Sequence, residues 1–328
     1  MQSLSYYDYK LQKEFIAQEP VERGNSRLMV LGEKIEHKKF SDIIEYLDRG
    51  DCLVLNDTKV IKAKLNCKKA TGGKVEILVL ESNSNSCTCI AKGKVKEGME
   101  LFFNGVKALV KEKIGSKIIL EFDISLEEII EKYGKAPLPP YIKKKVCIED
   151  YQTVYAKKNG SIAAPTAGLH FSKELLLKLE SKGIKFAFVT LHIGIGTFKL
   201  ISSENIFEHK MEGEYYSVDE KNANLINETG GKKIAVGTST IRAIESASRD
   251  GLVIPGSGIA NIFIYPSYKF NLKTDGLITN FHLPKSTPLL LVCAYAGYEK
   301  IMNAYRIAIK EGYRFYSFGD AMFILNYY

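Results

Sequence analysis

The sequence predicts an α/β protein in which an all-β segment interrupts a larger domain. Helix and strand patterns alternate in the second half of the chain, whereas short strands separated by glycine or asparagine turns follow one another in the middle. The chain of 328 residues is long enough for two domains, because single cores rarely grow beyond about 300 residues. We therefore assign residues 1–60 and 150–328 to a discontinuous α/β domain and residues 61–149 to an inserted β-barrel domain.

The first part of the α/β domain predicts one helix and one buried strand. Residues 40–50 carry apolar side chains at helical spacing between Ser41, a suitable cap, and Gly50, a common terminator. Residues 52–56, Cys-Leu-Val-Leu-Asn, have the continuous apolar character of a buried strand. The polar residue Asp57 follows this strand directly.

The middle of the chain predicts short strands joined by tight turns, as in a small β-barrel or sandwich. Glycine pairs and an Asn-Gly dipeptide supply the turns. Residues 126–133 have a helical pattern, and the proline-rich residues 137–140 form a stiff connector back to the α/β domain. The predicted strands cover residues 74–80, 86–91, 106–110 and 117–122.

The net charge of +8 is concentrated in this middle region. Between residues 62 and 117 the sequence has twelve lysines and five glutamates, with no arginine or aspartate. A locally basic module favours a polyanionic partner such as a nucleic acid. A chain rich in Ile and Asn and poor in Arg is also what an AT-biased coding sequence produces, so the lysine excess alone leaves both explanations open.

Helices and strands alternate from residue 152 onwards, which favours a mostly parallel sheet, open or closed into a barrel. In such folds ligands bind at the carboxyl ends of the strands. The predicted helices cover residues 172–182, 238–247 and 287–297, and the predicted strands cover residues 184–190, 233–237, 262–265 and 276–280.

Four polar clusters follow predicted strands, so we expect them to share one face of the sheet. They lie at residues 56–58, 192–197, 238–240 and 280–282. Two loops of small residues, 163–171 and 190–198, each carry a histidine and flank one helix–strand unit. Such loops let the backbone approach a ligand closely while a titratable group points in. This arrangement predicts an enzyme.

Each of these features also has a purely structural explanation. The glycines of residues 192–197 can serve the geometry of a strand-end turn, and they lack the third glycine of a dinucleotide fingerprint. The hydroxyls of residues 238–240 can be simple helix caps, or they can form an anion site together with Arg242. A lone histidine is more often structural than catalytic. The sequence contains neither a Gly-x-Ser-x-Gly elbow nor a His-Glu-x-x-His motif.

The composition argues against several other classes of protein. Residues 1–8 lack the basic and apolar regions of a secretory signal. The longest apolar run, residues 288–297, is half of the ~20 residues that a membrane span needs. Only Cys87 and Cys89 are closely spaced among six cysteines, so we expect reduced thiols and no metal site. We therefore expect a cytoplasmic protein that does not bind membranes.

Taken together, the motifs resemble the S-adenosylmethionine:tRNA ribosyltransferase-isomerase family of queuosine biosynthesis, over almost the whole chain. Long motifs in one fixed order are highly specific. The matching segments are residues 50–58, 137–142, 151–155, 164–171, 190–198, 236–239, 279–287 and 313–322.

The resemblance implies a barrel-like α/β main domain, which would be catalytic, with an inserted β-barrel. It also implies a transferase reaction. The ribosyl part of S-adenosylmethionine moves onto preQ1 at the wobble position of tRNA, adenine and methionine leave, and epoxyqueuosine results. S-adenosylmethionine is consumed as a substrate, so the resemblance implies no cofactor. The expected partners are S-adenosylmethionine and tRNA carrying preQ1 in the anticodon loop, and we expect a monomer.

The resemblance suggests roles for particular residues. Proton carriers are needed because a base removes a proton beside the sulfonium and an acid helps adenine to leave. The candidates for catalysis are His170, His192 and His282, positioned or polarised by Asp57 and Asp320. The substrate-binding candidates are Thr166, Gly168, Gly194, Gly196, Thr197, Thr238, Ser239, Arg242 and Asn280, of which Thr238, Ser239 and Arg242 would bind the methionine carboxylate. The tRNA-binding candidates are Lys59, Lys62, Lys64, Lys143, Lys144, Lys145, Tyr151 and Tyr155, with Tyr141 as a further stacking residue.

Two departures from the family pattern bear on these roles. Glu212 stands where family members commonly have a histidine, so Glu212 would have to replace that histidine if it were the essential base. Lys59, Lys62 and Lys64 stand where members often carry Arg, Pro and Arg. Lysine keeps the positive charge but loses the bidentate fork of arginine. This change affects the expected strength of RNA contact and not its existence.

Two other functions remain open from the residues alone. A pure RNA-binding module would explain the basic middle region but not the histidines and glycines at the strand ends. A glycosyl- or phosphoribosyl-transferase acting on small molecules would explain the anion site but leave the lysine excess without a role. Binding of S-adenosylmethionine and a requirement for preQ1-containing RNA separate these alternatives.

Overall fold

The computed structural model of the chain describes residues 2–144 and 146–326. Within these residues the strands are, in chain order, β1 Arg27–Leu31, β2 Ile35–Lys39, β3 Cys52–Asn56, β4 Thr58–Val60, β5 Lys64–Lys69, β6 Lys74–Asn83, β7 Ser86–Lys92, β8 Glu100–Phe103, β9 Val106–Ile114, β10 Lys117–Phe122, β11 Lys158–Ser161, β12 Lys185–Leu191, β13 Glu214–Val218, β14 Lys233–Val236, β15 Ser248–Arg249, β16 Leu252–Val253, β17 Gly256–Ala260, β18 Gly276–Asn280 and β19 Ala321–Leu325.

The helices of the described residues are short. The α-helices are α1 Leu126–Tyr133, α2 Lys173–Ser181, α3 Glu220–Asn227, α4 Thr238–Ala247, α5 Thr287–Ala296 and α6 Tyr298–Lys310. The 3₁₀ segments are Leu4–Tyr7, Lys13–Phe15, Phe40–Tyr46, Glu149–Tyr151, Thr166–His170, Ile195–Phe198 and Ile206–Glu208. None of these helices combines the length and the apolar character needed to cross a membrane.

The larger sheet has nine described strands in the order β17-β13-β12-β3-β14-β18-β19-β1-β2. Its centre, β12-β3-β14-β18, is parallel throughout. The expectation of a mostly parallel sheet is wrong, because β13, β17 and β2 pair antiparallel with their neighbours and β19 runs antiparallel to β18. Two helices, α5 and α6, connect β18 to β19. After these helices the chain re-enters the sheet beside β18, and β19 runs in the opposite direction. The order has two ends, so these strands form an open sheet.

The six strands β5 to β10 close into a barrel in the order β10-β7-β6-β5-β8-β9. Alternate side chains point inwards, as the burial of Ile118, Leu120 and Phe122 in β10 illustrates. The expected α/β protein with an inserted all-β barrel is confirmed, whereas the described strands of the larger sheet do not close into the barrel-like main domain that the resemblance implies. The barrel strands lie within residues 61–149, and the domain boundaries themselves remain a prediction.

Several predicted elements agree with the structure, and two do not. Helices α1 and α4 and strands β3, β10 and β18 have the predicted bounds, and Ser172 caps α2 by accepting a hydrogen bond from the Leu175 N–H at 3.1 Å. The helix predicted at residues 40–50 is a 3₁₀ helix that ends at Tyr46. The strand predicted at residues 262–265 is wrong, because these residues pair with no described strand and instead pack against the core and a cavity.

Candidate active site

A cavity of about 510 Å³ lies where the central parallel strands end. Its wall is built by the segments that follow β12, β14 and β18, because neighbouring parallel strands bring their carboxyl ends to one edge of the sheet. The predicted site residues that border it are Thr166, Gly194, Gly196, Thr197, Thr238, Ser239, Arg242, Asn280 and His282, together with the aromatic candidates Tyr141 and Tyr151.

Asn56 ties two of these segments together from behind the cavity wall. Its Nδ2 donates to the Leu191 carbonyl at 3.0 Å and to Ser239 Oγ at 3.2 Å. Its Oδ1 accepts from the backbone N–H groups of Leu191 and Thr58. This buried amide therefore holds the end of β12 against the start of α4.

The start of α4 presents backbone donors to the cavity. Gly237 precedes the helix with φ +95°, a conformation that favours glycine, and a Cβ there would lie 3.7 Å from Ala167. The first N–H groups of a helix have no acceptor within the helix, so the N–H groups of Thr238 and Ser239 donate to no carbonyl of α4. Both residues border the cavity. This turn can bind an anion.

Glu214 and Arg242 form a buried ion pair in the cavity wall, with side chains only 7% and 13% exposed. Glu214 Oε2 accepts from Arg242 Nη1, and Glu214 Oε1 accepts from the Gly194 N–H at 2.7 Å. Burial raises the pKa of the Glu214 carboxyl above its ordinary value, although Arg242 and the Gly194 N–H act in the opposite direction. Arg242 Nη2 donates to the Ala260 carbonyl at 2.9 Å.

Glu212 also borders the cavity. Its carboxylate pairs with Lys199, and both side chains are about half exposed. A Cβ on Gly196 would lie 3.2 Å from Glu212 Oε2, so the glycine leaves room for this side chain. An exposed pair of this kind adds little to stability, and Glu212 is free to meet a ligand.

His282 is the one of the three predicted catalytic histidines that borders the cavity. Its Nε2 lies 2.8 Å from Thr279 Oγ1, and its backbone N–H donates to Tyr305 Oη at 2.9 Å. Burial lowers the pKa of the imidazole to about 3. The ring is therefore neutral near pH 7.

His170 lies one residue behind the cavity. Its Nδ1 is 2.8 Å from Ser26 Oγ and its Nε2 is 3.3 Å from Asn280 Oδ1. Asn280 Nδ2 donates to the Tyr316 carbonyl, so its Oδ1 can accept a hydrogen bond from the His170 Nε2–H. Burial lowers the pKa of His170 to about 4. His170 therefore reaches the cavity through Asn280.

His192 and Asp57 also lie outside the cavity wall. His192 Nδ1 is 2.8 Å from Thr58 Oγ1, and a Cβ on Gly160 would lie 2.6 Å from His192 Nε2. The ring stacks on Tyr215 with 5.4 Å between centroids. Asp57 is buried and accepts a hydrogen bond from Thr190 Oγ1 at 2.7 Å. These two residues stand close to the strand ends without bordering the cavity.

Asp320 and Gly168 have structural contacts in this conformation. Asp320 accepts from the backbone N–H groups of Arg27 and Arg314 and from the Arg314 guanidinium. A Cβ on Gly168 would lie 2.0 Å from Tyr155 Oη, so only glycine permits this close approach.

The predicted aromatic residues differ in accessibility. Tyr151 is fully buried beside Phe318, with 5.8 Å between ring centroids, and it borders the cavity. Tyr155 is half-buried. Tyr141 packs against Tyr316 at 4.9 Å in the cavity wall. Tyr316 has φ +72°, a conformation that costs a non-glycine residue about 1–3 kcal/mol and often marks a functional site.

The predicted RNA-binding lysines lie on the surface. Lys59 is exposed, and Lys62 and Lys64 are half-buried. Lys64 pairs with Glu76 at 2.7 Å, and Lys144 pairs with Glu19 at 2.9 Å. The remaining two candidates are Lys143, which is exposed, and Lys145, which lies outside the described residues.

Sequence reasoning assigned no role to Glu214, Lys199 or Tyr316, all of which border the cavity. Glu214 begins β13, where an acidic residue looks like any exposed strand end. Its pairing with Arg242 joins residues 28 positions apart, which no local pattern reveals. The one sequence feature that pointed to Glu214 as a site residue was the recurrence of acidic residues near residue 212.

Comparison with known proteins places the chain in a family. A family model described as "Queuosine biosynthesis protein" matches residues 4–324. The S-adenosylmethionine:tRNA ribosyltransferase-isomerase of Acetivibrio thermocellus is 52% identical over 98% of this chain and 99% of that protein. The protein of the same name from Thermosipho melanesiensis is 51% identical over the same shares of the two chains.

A solved structure agrees with these matches. The crystal structure of an S-adenosylmethionine tRNA ribosyltransferase from Thermotoga maritima is 39% identical, with a TM-score of 0.56. The match covers 98% of this chain and all of that chain. The chain therefore belongs to the queuosine biosynthesis family of S-adenosylmethionine:tRNA ribosyltransferase-isomerases.

Proposed function

We propose that the chain transfers and isomerises the ribosyl part of S-adenosylmethionine onto preQ1 at the wobble position of tRNA. Epoxyqueuosine forms in the RNA, and adenine and methionine are released. The observation that supports this most strongly is the cavity at the strand ends. The family's own motifs, including residues 164–171, 190–198 and 279–287, contribute to its wall.

The cavity offers complementary groups for this substrate. The N–H groups at the start of α4 and the Arg242 guanidinium suit the carboxylate of the methionine part. The sulfonium stabilises the carbanion left when a neighbouring proton is removed. His282 is the favoured proton carrier because its neutral ring borders the cavity. His170 and Asp320 then act by positioning, and the roles of His192 and Asp57 remain predictions.

The RNA meets the lysine-bearing surface in this proposal. The positive charges that would neutralise its phosphates belong to Lys59, Lys62, Lys64, Lys143 and Lys144. The pairs that Lys64 and Lys144 make are exposed, and exposed pairs contribute only about 0–1 kcal/mol. A phosphate can therefore replace Glu76 or Glu19 at little cost. Tyr141 and Tyr155 remain candidates for stacking on an unpaired base.

The proposed reaction needs no resident cofactor, because S-adenosylmethionine supplies both the transferred group and the leaving groups. We further propose that the protein acts as a cytoplasmic monomer. Size-exclusion chromatography with light scattering tests the monomer: a mass near 36.8 kDa is expected.

The activity is tested by incubating the protein with S-adenosylmethionine and a preQ1-bearing anticodon stem-loop while following adenine release and RNA mass. We expect the RNA to gain the mass of one ribosyl-derived group, and the amount of adenine released to equal the amount of RNA modified. His282→Asn should lower kcat by about 10²- to 10⁴-fold, the usual contribution of a general acid or base. His37→Asn is the matched control, because His37 is hydrogen-bonded to Tyr313 away from the cavity. This variant should keep normal turnover.

Three results would count against the proposal in different ways. Adenine release without RNA modification would show that the donor is correct and the acceptor is wrong. Folded protein that gives neither product with a verified substrate would refute the activity. Normal turnover of His282→Asn would remove this histidine from catalysis and leave the activity itself intact.

A further inference from the structure

We propose that Glu214 and Arg242 together bind the zwitterionic head group of an α-amino acid, with Glu214 taking the ammonium group and Arg242 the carboxylate. The inference rests on the proposed function of the same cavity. It extends that function by giving the ammonium group of S-adenosylmethionine its own partner and by making that group a requirement for binding.

The first support is the position of the pair. Both side chains border the cavity and are otherwise deeply buried. Buried ion pairs are costly to desolvate and are weak devices for stability alone. A stably buried pair whose two partners both face a cavity is therefore suited to recognising a ligand.

The second support is that the pair has unused hydrogen-bonding capacity. The Glu214 carboxylate accepts from Arg242 and from the Gly194 N–H, whereas a carboxylate can accept about four hydrogen bonds. Arg242 donates to Glu214 and to the Ala260 carbonyl. Its buried Nε has no hydrogen-bond partner among the described residues. Each ion thus retains capacity for a group of opposite charge.

The third support is the geometry that holds the pair in place. Glu214 begins β13 beside Ala260 of β17, and Arg242 lies one turn inside α4. The Gly194 N–H fixes one carboxylate oxygen, and the Ala260 carbonyl fixes one guanidinium nitrogen. Three separate elements therefore keep the two charges side by side before a ligand arrives, which lowers the cost of binding.

The fourth support is the charge balance of the wall. Its described acidic residues are Glu208, Glu212 and Glu214, and its described basic residues are Lys199, Lys210 and Arg242. A wall of balanced charge suits a head group that carries both signs. A ligand with only a carboxylate would place that group beside Glu214 without the compensating ammonium, so the cavity should discriminate against it.

The test compares two pairs of ligands by isothermal titration calorimetry, without RNA. One pair is S-adenosylmethionine and its analogue in which hydrogen replaces the α-amino group. The other pair is methionine and desamino-methionine. Wild-type protein should prefer the amino-bearing member of each pair by about 10- to 100-fold, the range for one charge-assisted hydrogen bond.

Glu214→Gln keeps the size of the side chain and removes its charge. We expect this variant to bind the two members of each pair within about threefold of each other, because the remaining preference comes from an uncharged hydrogen bond. Glu208→Gln is the matched control, since Glu208 is an exposed carboxylate of the same wall. It should keep the wild-type preference. A merely structural role for Glu214 would weaken both ligands equally.

The outcomes separate the inference from the proposed function. Equal binding of both ligands by wild-type protein would overturn the inference alone, as would an unchanged preference in Glu214→Gln or loss of preference in Glu208→Gln. Absence of S-adenosylmethionine binding by folded wild-type protein would overturn the proposed function as well. If Glu214→Gln does not fold, the comparison of the two ligand pairs on wild-type protein carries the test, and equal binding of both members there would refute the inference.

Discussion

The barrel and the large sheet keep their polar groups in different places. The barrel core consists of buried apolar side chains and thiols, and none of the described residues 61–149 is a buried polar or charged one. The sheet region buries many, including Asn56, Asp57, Glu214 and Asn280 at or near the strand ends. Buried polar groups are costly unless they are paired. Asn56, Asp57 and Asn280 lie at the carboxyl ends of β3 and β18, so we expect the chemistry at this edge of the sheet.

The ion pairs of the two regions differ in the same way. In the barrel, Lys107 pairs with Glu100 and Lys111 pairs with Glu121, with all four side chains between 43% and 49% exposed. In the sheet, Glu214 and Arg242 pair inside the wall. Exposed pairs are easily exchanged for a charged partner, whereas a buried pair holds a fixed geometry. The comparison supports the proposal that the barrel surface meets a polyanion and that the cavity of the sheet region binds a small molecule.

The largest effect is expected from breaking the buried pair. Arg242→Ala leaves the Glu214 charge unpaired in the wall and should lower the free energy of unfolding by about 3–5 kcal/mol. Urea denaturation measures this loss, and Arg249→Ala, at an exposed arginine just beyond α4, should change it by less than about 0.5 kcal/mol. The double variant Arg242→Ala with Glu214→Ala should lose less than the sum of the single variants. Additive losses would show that the two charges do not depend on each other.

A core substitution in the barrel tests whether the two regions are independent. Leu120→Ala removes a fully buried side chain and should cost about 2–5 kcal/mol of stability. Affinity for S-adenosylmethionine, measured by calorimetry below the unfolding transition, should not change because the cavity lies in the sheet region. Ile119→Ala, at the adjacent half-buried position, is the control with a smaller stability loss. A parallel fall in affinity would contradict the separation of roles.

The histidine behind the cavity should make the stability of the sheet region pH-dependent. The pKa of His170 is about 4 in the folded protein and ordinarily about 6.5. The unfolded chain therefore binds a proton between pH 6.5 and 4 that the folded state does not, and stability falls as the pH falls through this window. The loss reaches about 3 kcal/mol at the acid end.

Urea denaturation between pH 4 and 7 measures this dependence. His170→Asn should make the profile shallower, and His282, whose pKa is lowered to about 3, should leave a slope of the same sign. His37→Asn is the control and should keep the wild-type slope. An unchanged slope in His170→Asn would exclude this histidine as its source.

The smallest effects are expected on the basic surface. Lys59→Gln and Lys62→Gln should each weaken RNA binding, by about the same factor for every RNA sequence. Each should also reduce the slope of the logarithm of the binding constant against the logarithm of the salt concentration by about 1, because one phosphate contact is lost. Fluorescence anisotropy at several salt concentrations measures both quantities. Lys178→Gln removes the same charge from exposed α2 and should change neither. Equal effects of all three variants would indicate attraction by net charge alone.

Much of the site was predictable because its parts are local. Thr238 and Ser239 start a helix whose bounds the apolar spacing indicates, and Gly194 and Gly196 follow a strand of evident apolar character. Neighbouring parallel strands then bring such loops together. The histidines were not distinguishable in this way: His282 borders the cavity, whereas His170 lies behind Asn280 and His192 beside Gly160.

Local patterns of the sequence alone determined four of the six described barrel strands, the caps and bounds of several helices, and the loops that surround the cavity. Side-chain periodicity and turn residues act over a few positions, so they can be recognised without a fold. The tertiary structure decided which charges became partners and which side chains reached the cavity. Glu214 meets Arg242 and Gly194 only after β13, α4 and the loop following β12 have packed. The energy of a buried charge depends on such distant partners, and no short stretch of sequence contains that information.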